Sequence, residues 1–498
     1  MARHGGLRRV KDFEIIRSAE QLRSLAREQR LEILRHAAEE PMTATMVARK
    51  IGRRVNQIHY HVQQLFEQGL LEEVTDARRE RKDERYYRAA ARQFLVDPGM
   101  TGSDDPISFS FRQSVEVSAL HARRRLLELD LSRIAHRVVS DALQARKDDR
   151  VLVVFAPTAL ELVEALVVEL EALGAEARTR IWSRNVILQT LERHTPESLA
   201  NHPFIHPGLS DGLDAVVFVM SSIPQGAPPS PEQRKKLPLL LDAVTQWQRS
   251  LVDRGVRSLE LALPHRGEFE GGWMTPEEAI DTYWRSLDSD PGMLRRLGID
   301  LLEVLRSNTR WSLSDERGTN LELDIEPDSL HVGDGVISRE DISERKTADA
   351  LPAGVIASIP RIGSGTGRLC ADYTYLGGRH YYDVSLDIED GRIASLVARE
   401  HGDELLAAIR AESGDPDLLS CVSIGINPGG QGLTGRPSLD AIFSGVVNIT
   451  FGNNEVDGGS VRSTLTLNLP SSVMTLRAGS HTVVAEGVLQ VASADERP

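Results

Sequence analysis

The sequence predicts a multidomain protein: a winged-helix head, then an α/β part built on a parallel sheet, then a mainly antiparallel β part of α+β character. Three observations predict it. The first hundred residues hold a short helical pattern, a turn with Gly and an amphipathic helix, followed by two strand-like segments. Beyond residue 132, short apolar runs alternate with helical patterns, as a parallel sheet with helices on both faces requires. After Gly318 helices become scarce, and alternating segments recur between Gly-rich turns. A chain of 498 residues is also too long for one ordinary domain. The boundaries read 1–92 for the head, 93–131 for a linker with a candidate dimerisation helix, 132–317 for the α/β part, 318–491 for the β-rich part and 492–498 for a disordered tail.

Within the head, Ser18-Ala19-Glu20-Gln21 reads as a capping box that opens a helix carrying Leu22, Leu25, Leu31, Ile33 and Leu34, which ends before Pro41. Thr43 caps a short second helix with Met46, Val47 and Ile51, closed by Gly52. A third helix follows with Val55, Ile58, Val62, Leu65 and Phe66 inward, and it stops at Gly69. Residues 70–74 and 85–88, joined by a charged turn, make a two-stranded wing. A short helix, a tight turn and a second helix form the geometry that lays one helix in the DNA major groove. Arg53, Arg54, Asn56, Gln57, His59 and Tyr60 lie near the start of that helix and off its apolar stripe. Arg can grip guanine, and Asn or Gln can grip adenine, through paired hydrogen bonds. In the wing, Arg78, Arg79, Arg81, Lys82 and Arg85 suit phosphate or the minor groove.

Charge supports this division. Residues 1–100 hold 20 Lys and Arg against 15 Asp and Glu, while the whole chain carries a net charge of −14, so a basic head sits on an acidic body. Residues 25–91 resemble the ArsR-like winged-helix regulators, through Arg30-Leu31-Glu32-Ile33-Leu34, Val47-Ala48-Arg49-Lys50-Ile51-Gly52, Tyr60-His61-Val62 with Leu65, Gly69-Leu70-Leu71 and Arg85-Tyr86-Tyr87-Arg88-Ala89. That resemblance implies a dimer on a pseudo-palindromic operator. The head contains no cysteine, which excludes the thiol metal sensing of some of those regulators.

In the body, residues 151–155, 177–182, 215–219 and 258–263 read as strands, and a helix from about 159 to 173 ends at Gly174. Residues 321–325, 381–388, 393–398, 446–451 and 463–469 read as the later strands, with one helix near 404–412. Residues 132–491 resemble the aminopeptidase T family of metallo-aminopeptidases. The resemblance is carried by residues 149–154, Gly318-Thr319-Asn320-Leu321 with Asp334-Gly335, Leu351-Pro352-Ala353-Gly354, Ile424-Gly425-Ile426-Asn427-Pro428-Gly429, and Phe451-Gly452-Asn453-Asn454 with Gly458-Gly459 and Arg462-Ser463. It implies an α/β domain joined to a β-rich domain, usually dimeric, with two divalent metals held by Glu, His and Asp. The ligands are replaced. The family's Glu after Pro-x-Gly is Val355, and its Glu before the Ile-Gly-x-Asn-Pro segment is Cys421. Its first His is Asn448, its Tyr is Glu455, and its closing His-x-Asp becomes Thr466 and Asn468. Two adjacent dications need several carboxylates to balance their charge. This set supplies none at the ligand positions, so a pseudo-enzyme without metal or other cofactor is expected.

Other motifs carry less. His202-Pro203-Phe204-Ile205-His206 has Pro203 where a helical His pair needs regular backbone. Gly363-Ser364-Gly365-Thr366-Gly367 lacks the helix that follows a phosphate loop and reads as a β-turn. Glu268 and Glu270 sit in a Gly-rich loop that reads as solvent-facing. Cys370 and Cys421 are too few for a disulfide framework. No apolar run approaches membrane-spanning length, and the basic residues 1–11 are not followed by the apolar core of a secretory signal, so a cytoplasmic location is expected. The expected function is a homodimeric regulator that binds double-stranded DNA and holds a peptide, amino acid or small aromatic effector in the old substrate cleft. Two alternatives are a rebuilt enzyme using Cys421 and Glu455, and a peptide-binding module of a biosynthetic pathway.

Overall fold

The computed structural model describes residues 11–74, 85–96 and 129–490, apart from residues 17, 26, 201–203, 222–229, 265, 270, 431, 456 and 457. Contacts divide the chain into two compact units, Met1–Leu129 and Asp130–Pro498. The wing residues Arg78, Arg79, Arg81 and Lys82, most of the expected linker and the expected tail lie outside the described residues.

The first unit runs β1 (Lys11–Ile16), α1 (Ala19–Leu25), α2 (Glu28–Glu39), α3 (Ala44–Lys50), α4 (Val55–Glu67), β2 (Leu71–Val74), β3 (Tyr86–Ala89) and β4 (Ala91–Val96). Ser18 Oγ accepts from Gln21 N at 3.1 Å, and Thr43 Oγ1 accepts from Met46 N at 3.2 Å, so both expected caps form. Gly52 at φ 65° and Gly69 at φ 70° end α3 and α4 in the left-handed conformation that favours glycine. The continuous first helix expected from the periodicity is instead two helices. Arg27 adopts extended backbone between them, which reorients α1 and leaves Leu22 and Leu31 exposed. Val55, expected inward, is also exposed, because it opens α4 before the helix reaches the core. The core is built from Ile33, Leu34, Val47, Ala48, Ile58, Val62, Leu65 and Leu70. Burying each of the larger side chains contributes about 1.5–3 kcal/mol. β2 and β3 pair antiparallel as the wing, and Met42 bridges to Tyr87. A parallel pair that sequence periodicity did not signal, β1 with β4, carries the head on to Val96.

The second unit opens with α5 (Leu131–His136), capped by Asp130 Oδ1 and continued as a π-helical turn over Arg137–Ala142. Next come β5 (Arg150–Phe155), α6 (Leu160–Leu173), β6 (Glu176–Ile181), α7 (Arg184–Arg193), β7 (Ala215–Ser221), α8 (Pro231–Asp253) and β8 (Arg257–Leu263). Then follow α9 (Pro276–Leu287), α10 (Pro291–Arg306), β9 (Arg310–Ser314), β10 (Asn320–Asp324), β11 (His331–Gly333), β12 (Ala348–Leu351) and β13 (Val355–Ser358). The unit ends with β14 (Thr366–Leu376), β15 (Arg379–Glu389), β16 (Arg392–Val397), α11 (Gly402–Ala411), β17 (Leu419–Gly425), β18 (Val447–Gly452), β19 (Thr466–Ser471), β20 (Thr475–Ala478), β21 (His481–Ala485) and β22 (Val488–Leu489).

Five strands form a parallel sheet in the order β12-β8-β7-β5-β6. The continuous apolar runs of β5 and β7 are buried on both faces, as a covered parallel sheet demands. Its edge strand β12 comes from beyond residue 318, so the chain returns to the parallel sheet after entering the β-rich part. The rest is antiparallel: an eight-stranded sheet β16-β15-β14-β10-β9-β20-β21-β22 and a five-stranded sheet β11-β13-β17-β18-β19. Ile356, Val422, Ile424, Val447, Ile449, Phe451, Leu467 and Leu469 give the five-stranded sheet one apolar face within the main core. Its other face carries Val355, Cys421, Asn448, Thr466 and Asn468, the positions where the resemblance implies metal ligands.

Candidate nucleic-acid interface and metal-cradle positions

In the head, α4 divides cleanly. Ile58, His61, Val62 and Leu65 are buried, at the i, i+3, i+4, i+7 spacing of one helical face. Asn56, Gln57, His59 and Tyr60 are exposed, Tyr60 by 58%. Arg53 and Arg54 precede the helix and are exposed, and among the described residues neither pairs with a carboxylate. The structure therefore presents all six expected reading residues together, on the turn and first two turns of one helix. Arg85 is exposed beside Glu73 at 3.9 Å, whereas Arg88 is buried and pairs with Glu72 at 3.1 Å. Sequence reasoning missed a buried polar group behind α4. Arg30, Ser24 and His61 are 5%, 1% and 7% exposed. The signal was present: Arg30 shares a helical stripe with Ile33, Leu34 and Ala37, and His61 with Ile58, Val62 and Leu65.

In the body, strand register fixes which cradle positions meet. Cys421 pairs across with Thr450, Ser423 with Asn448, and Thr450 with Asn468, so all five side chains point from one face. Asn448 Nδ2 donates to Asn468 Oδ1 at 3.1 Å, to Thr450 Oγ1 at 3.2 Å and to Ser423 Oγ at 3.4 Å. Thr450 Oγ1 donates to Asn468 Oδ1 at 2.9 Å. Asn448 Oδ1 is buried and, among the described residues, accepts no hydrogen bond. Val355 lies on the same face opposite Gly425, two residues along from the Ala357–Ser423 pair. Thr466 sits at the exposed end of β19. Glu455 is exposed and held by Arg462 at 2.9 Å. Cys421, Asn448 and Asn468 thus share one face, and the hydrogen bonds of Glu455 among the described residues run to Asn453 and Arg462 instead.

Two divalent ions do not fit this set. Val355 offers no donor, and the Asn and Thr side chains are neutral and bonded to one another. Among the described residues no three His, Cys, Asp or Glu side chains converge as a metal group. The neighbouring motif residues serve the scaffold. Asn427 Nδ2 donates to Ala353 O at 2.6 Å and to Ser286 O at 3.1 Å, and a Cβ on Gly354 would lie 2.8 Å from Asn427 Cβ. Asn454 Nδ2 donates to Ser420 O at 2.8 Å, and its Oδ1 accepts from Val461 N at 2.9 Å.

The strongly shifted carboxyls lie elsewhere. Burial pushes Asp440 up to about 6, although it accepts from Thr434 N, Thr434 Oγ1, Gly435 N and Tyr373 Oη. Burial, with Asp334 and Asp341 nearby, pushes Asp349 up to about 7. The segment from Gly363 to Gly367 is a turn into β14, and it lines an open cleft of about 420 Å³ with Arg310, Asn320, Glu322 and Asp324. Glu268, expected to face solvent, is instead half-buried against Arg436 at 2.9 Å; Glu270 lies outside the described residues. His206 caps a short helix through Gly208 N at 3.1 Å.

Comparison with known proteins agrees with this division. Residues 25–74 match a family model described as a helix-turn-helix domain. No curated protein matches the chain. Wild-type AmpT from Thermus thermophilus is similar at 16% identity and a TM-score of 0.52, over 72% of this chain and 99% of that one. A 2,5-dihydroxypyridine dioxygenase from Pseudomonas putida matches at 16% identity and 0.47, over 74% and 98%. A homodimeric winged helix-turn-helix DNA-binding domain from Mycobacterium bovis, described as a possible ArsR-family transcriptional regulator, matches at 26% identity and 0.13, over 15% and 63%. The chain therefore joins a helix-turn-helix domain to a body with the aminopeptidase-like fold of AmpT. No helix among the described residues is long and apolar enough to cross a membrane.

Proposed function

We propose that this protein is a homodimeric, DNA-binding transcription regulator of the cytoplasm whose body is a catalytically inactive aminopeptidase-like domain that binds an effector. One observation carries the reading: Arg53, Arg54, Asn56, Gln57, His59 and Tyr60 stand exposed together on the turn and start of α4, inside the matched helix-turn-helix segment. Those residue types on the second helix of such a motif suit base edges and phosphates. The wing cations Arg78, Arg79, Arg81, Lys82 and Arg85 add phosphate contacts in this reading.

The inactive body is supported by the neutral cradle. The five positions where the resemblance implies ligands are Val355, Cys421, Asn448, Thr466 and Asn468, and a metal-activated water needs anionic support that they lack. The same face is where an effector is proposed to sit, because it carries the positions at which the resemblance implies the family's metal ligands and so its substrate cleft. A peptide, amino acid or small aromatic is the proposed class. Effector binding would then bias operator affinity through its preference for one of two states. The test is selection of duplexes from a random library by purified protein, followed by footprinting. A two-fold symmetric footprint on enriched duplexes supports the reading, and no enrichment over bulk DNA removes it.

A further inference from the structure

The buried group behind α4 consists of Arg30 on α2, His61 on α4 and Ser24 on α1, joined by the half-buried Gln29 and Gln68. Arg30 Nη1 donates to Ser24 Oγ at 2.5 Å, and Ser24 Oγ donates in turn to Gln68 Oε1. Arg30 Nε donates to His61 Nδ1 at 3.5 Å, and the far nitrogen of that ring, Nε2, meets Gln29 Oε1 at 3.1 Å. A guanidinium only donates, so Nδ1 must present its lone pair, and an amide oxygen only accepts, so Nε2 must carry the proton. The partners therefore select one neutral tautomer of His61. A second proton on the ring would set N–H against N–H between two buried cations. The charged and titratable groups around the pair are Arg30, Arg27 just before α2, and Tyr60 on α4. Among the described residues no carboxylate lies within ion-pairing distance of Arg30 or His61 to absorb such a charge. His61 also sits one residue from the exposed Tyr60, with the two rings edge to face at 5.5 Å.

We infer that Arg30 and His61 are positioning residues of the DNA-reading helix, and that the head holds its reading register only while His61 is neutral. This rests on the proposed role of α4 in reading DNA. Burial and the two arginines hold His61 below its ordinary value of 6.5, so the contact is intact at neutral pH and is lost in acid. The sign is distinctive. Added positive charge on a DNA-facing surface ordinarily strengthens binding, whereas protonating His61 weakens it.

The experiment uses the full chain and a duplex selected by the wild type at pH 7.5, with affinity measured from pH 7.5 to 5.0. The wild type is expected to lose about tenfold in specific affinity per pH unit below the His61 midpoint. His61→Gln keeps an acceptor for Arg30 and a donor for Gln29, so it should bind like the wild type at pH 7.5 and hold its affinity in acid. His61→Leu should bind several-fold more weakly throughout. A His61→Gln profile that falls with the wild type, or His61→Leu binding as tightly as the wild type, overturns the inference. The imidazole titration of His61, followed through labelled Cε1 and assigned with His61→Gln, needs no DNA. A midpoint below 6.5 that rises in Arg30→Met supports the Arg30–His61 coupling separately from the DNA-reading role, so the two can fail independently, and a midpoint at or above 6.5 overturns the inference.

Discussion

Replacing Arg53 and Arg54 together by Ala probes the head without disturbing its fold. Both side chains are exposed and neither has a carboxylate partner among the described residues, so stability should change by no more than about 0.5 kcal/mol. Each phosphate contact on duplex DNA contributes about 0.9 to the slope of log affinity against log salt. If both arginines grip phosphates, the double variant loses about 1.8 from that slope. Over a fourfold rise in salt, its affinity then falls about tenfold less than the wild type's. If one of them instead reads a guanine, the slope falls by about half as much, and preference at one base pair weakens by about 1–3 kcal/mol. Fluorescence anisotropy on the selected duplex, from 50 to 200 mM salt, separates these outcomes, with single-base variants of the duplex as the second axis. An unchanged slope and an unchanged base preference, in a variant that melts like the wild type, would refute the placement of α4 on DNA.

The remaining predictions concern the core, the cradle and the buried carboxyls. Ile58→Ala removes a fully buried side chain from the head and should cost about 2–5 kcal/mol there. Calorimetry should show the head's transition lowered and the body's unchanged, and a single shifted transition would contradict the division into two units. Restoring the replaced ligands as Val355→Glu, Cys421→Glu, Asn448→His, Thr466→His and Asn468→Asp should give a body that retains about one zinc or manganese ion or more by elemental analysis. Stoichiometric metal in the wild type would defeat the neutral-cradle argument. Folding raises Asp349 to about 7 and Asp440 to about 6, so both favour the folded state when protonated. Their contribution is complete below the ordinary carboxyl range and is lost as pH rises through 6 and 7. Urea midpoints should fall over that window, and Asp349→Asn should flatten the decline, whereas a parallel decline would show that Asp349 does not drive it.

Local patterns made much of this molecule legible. The alternation of apolar and polar residues on α4, the caps at Ser18 and Thr43 and the left-handed Gly52 and Gly69 are all properties of a few consecutive residues. The all-apolar runs of β5 and β7 announced a covered parallel sheet for the same reason. What escaped depends on partners far away in sequence. The pairing of β1 with β4 links residues 11–16 to 91–96, and β12 leaves the β-rich region to pair with β8. The break at Arg27 interrupts a periodicity that runs on unbroken in the sequence, and only packing shows that Leu22 and Leu31 face outward. Glu268 reads as a loop carboxylate until Arg436 is brought against it.

The cradle positions show why a scaffold and its chemistry can be read separately. Asn427 and Gly354 hold two loops together, and Asn454 ties its loop to β17; these contacts need amide groups and the absence of a Cβ, not charge. They stand in the motifs that carry the resemblance to the peptidase family. Charge is needed only where ions would sit, and Val355, Asn448, Thr466 and Asn468 carry none there. Removing ions alone would leave carboxylates crowded in the interior, each raised in pKa and costly to bury. The Asn448–Thr450–Asn468 network avoids that cost by using neutral donors and acceptors at the same register positions. Asn448→Leu removes the hydrogen bonds made by Nδ2 to Ser423, Thr450 and Asn468, so if the proposed effector sits on this face the variant should weaken its binding, read by calorimetric titration with candidate peptides. Unchanged titrations in that variant would place the ligand away from this face.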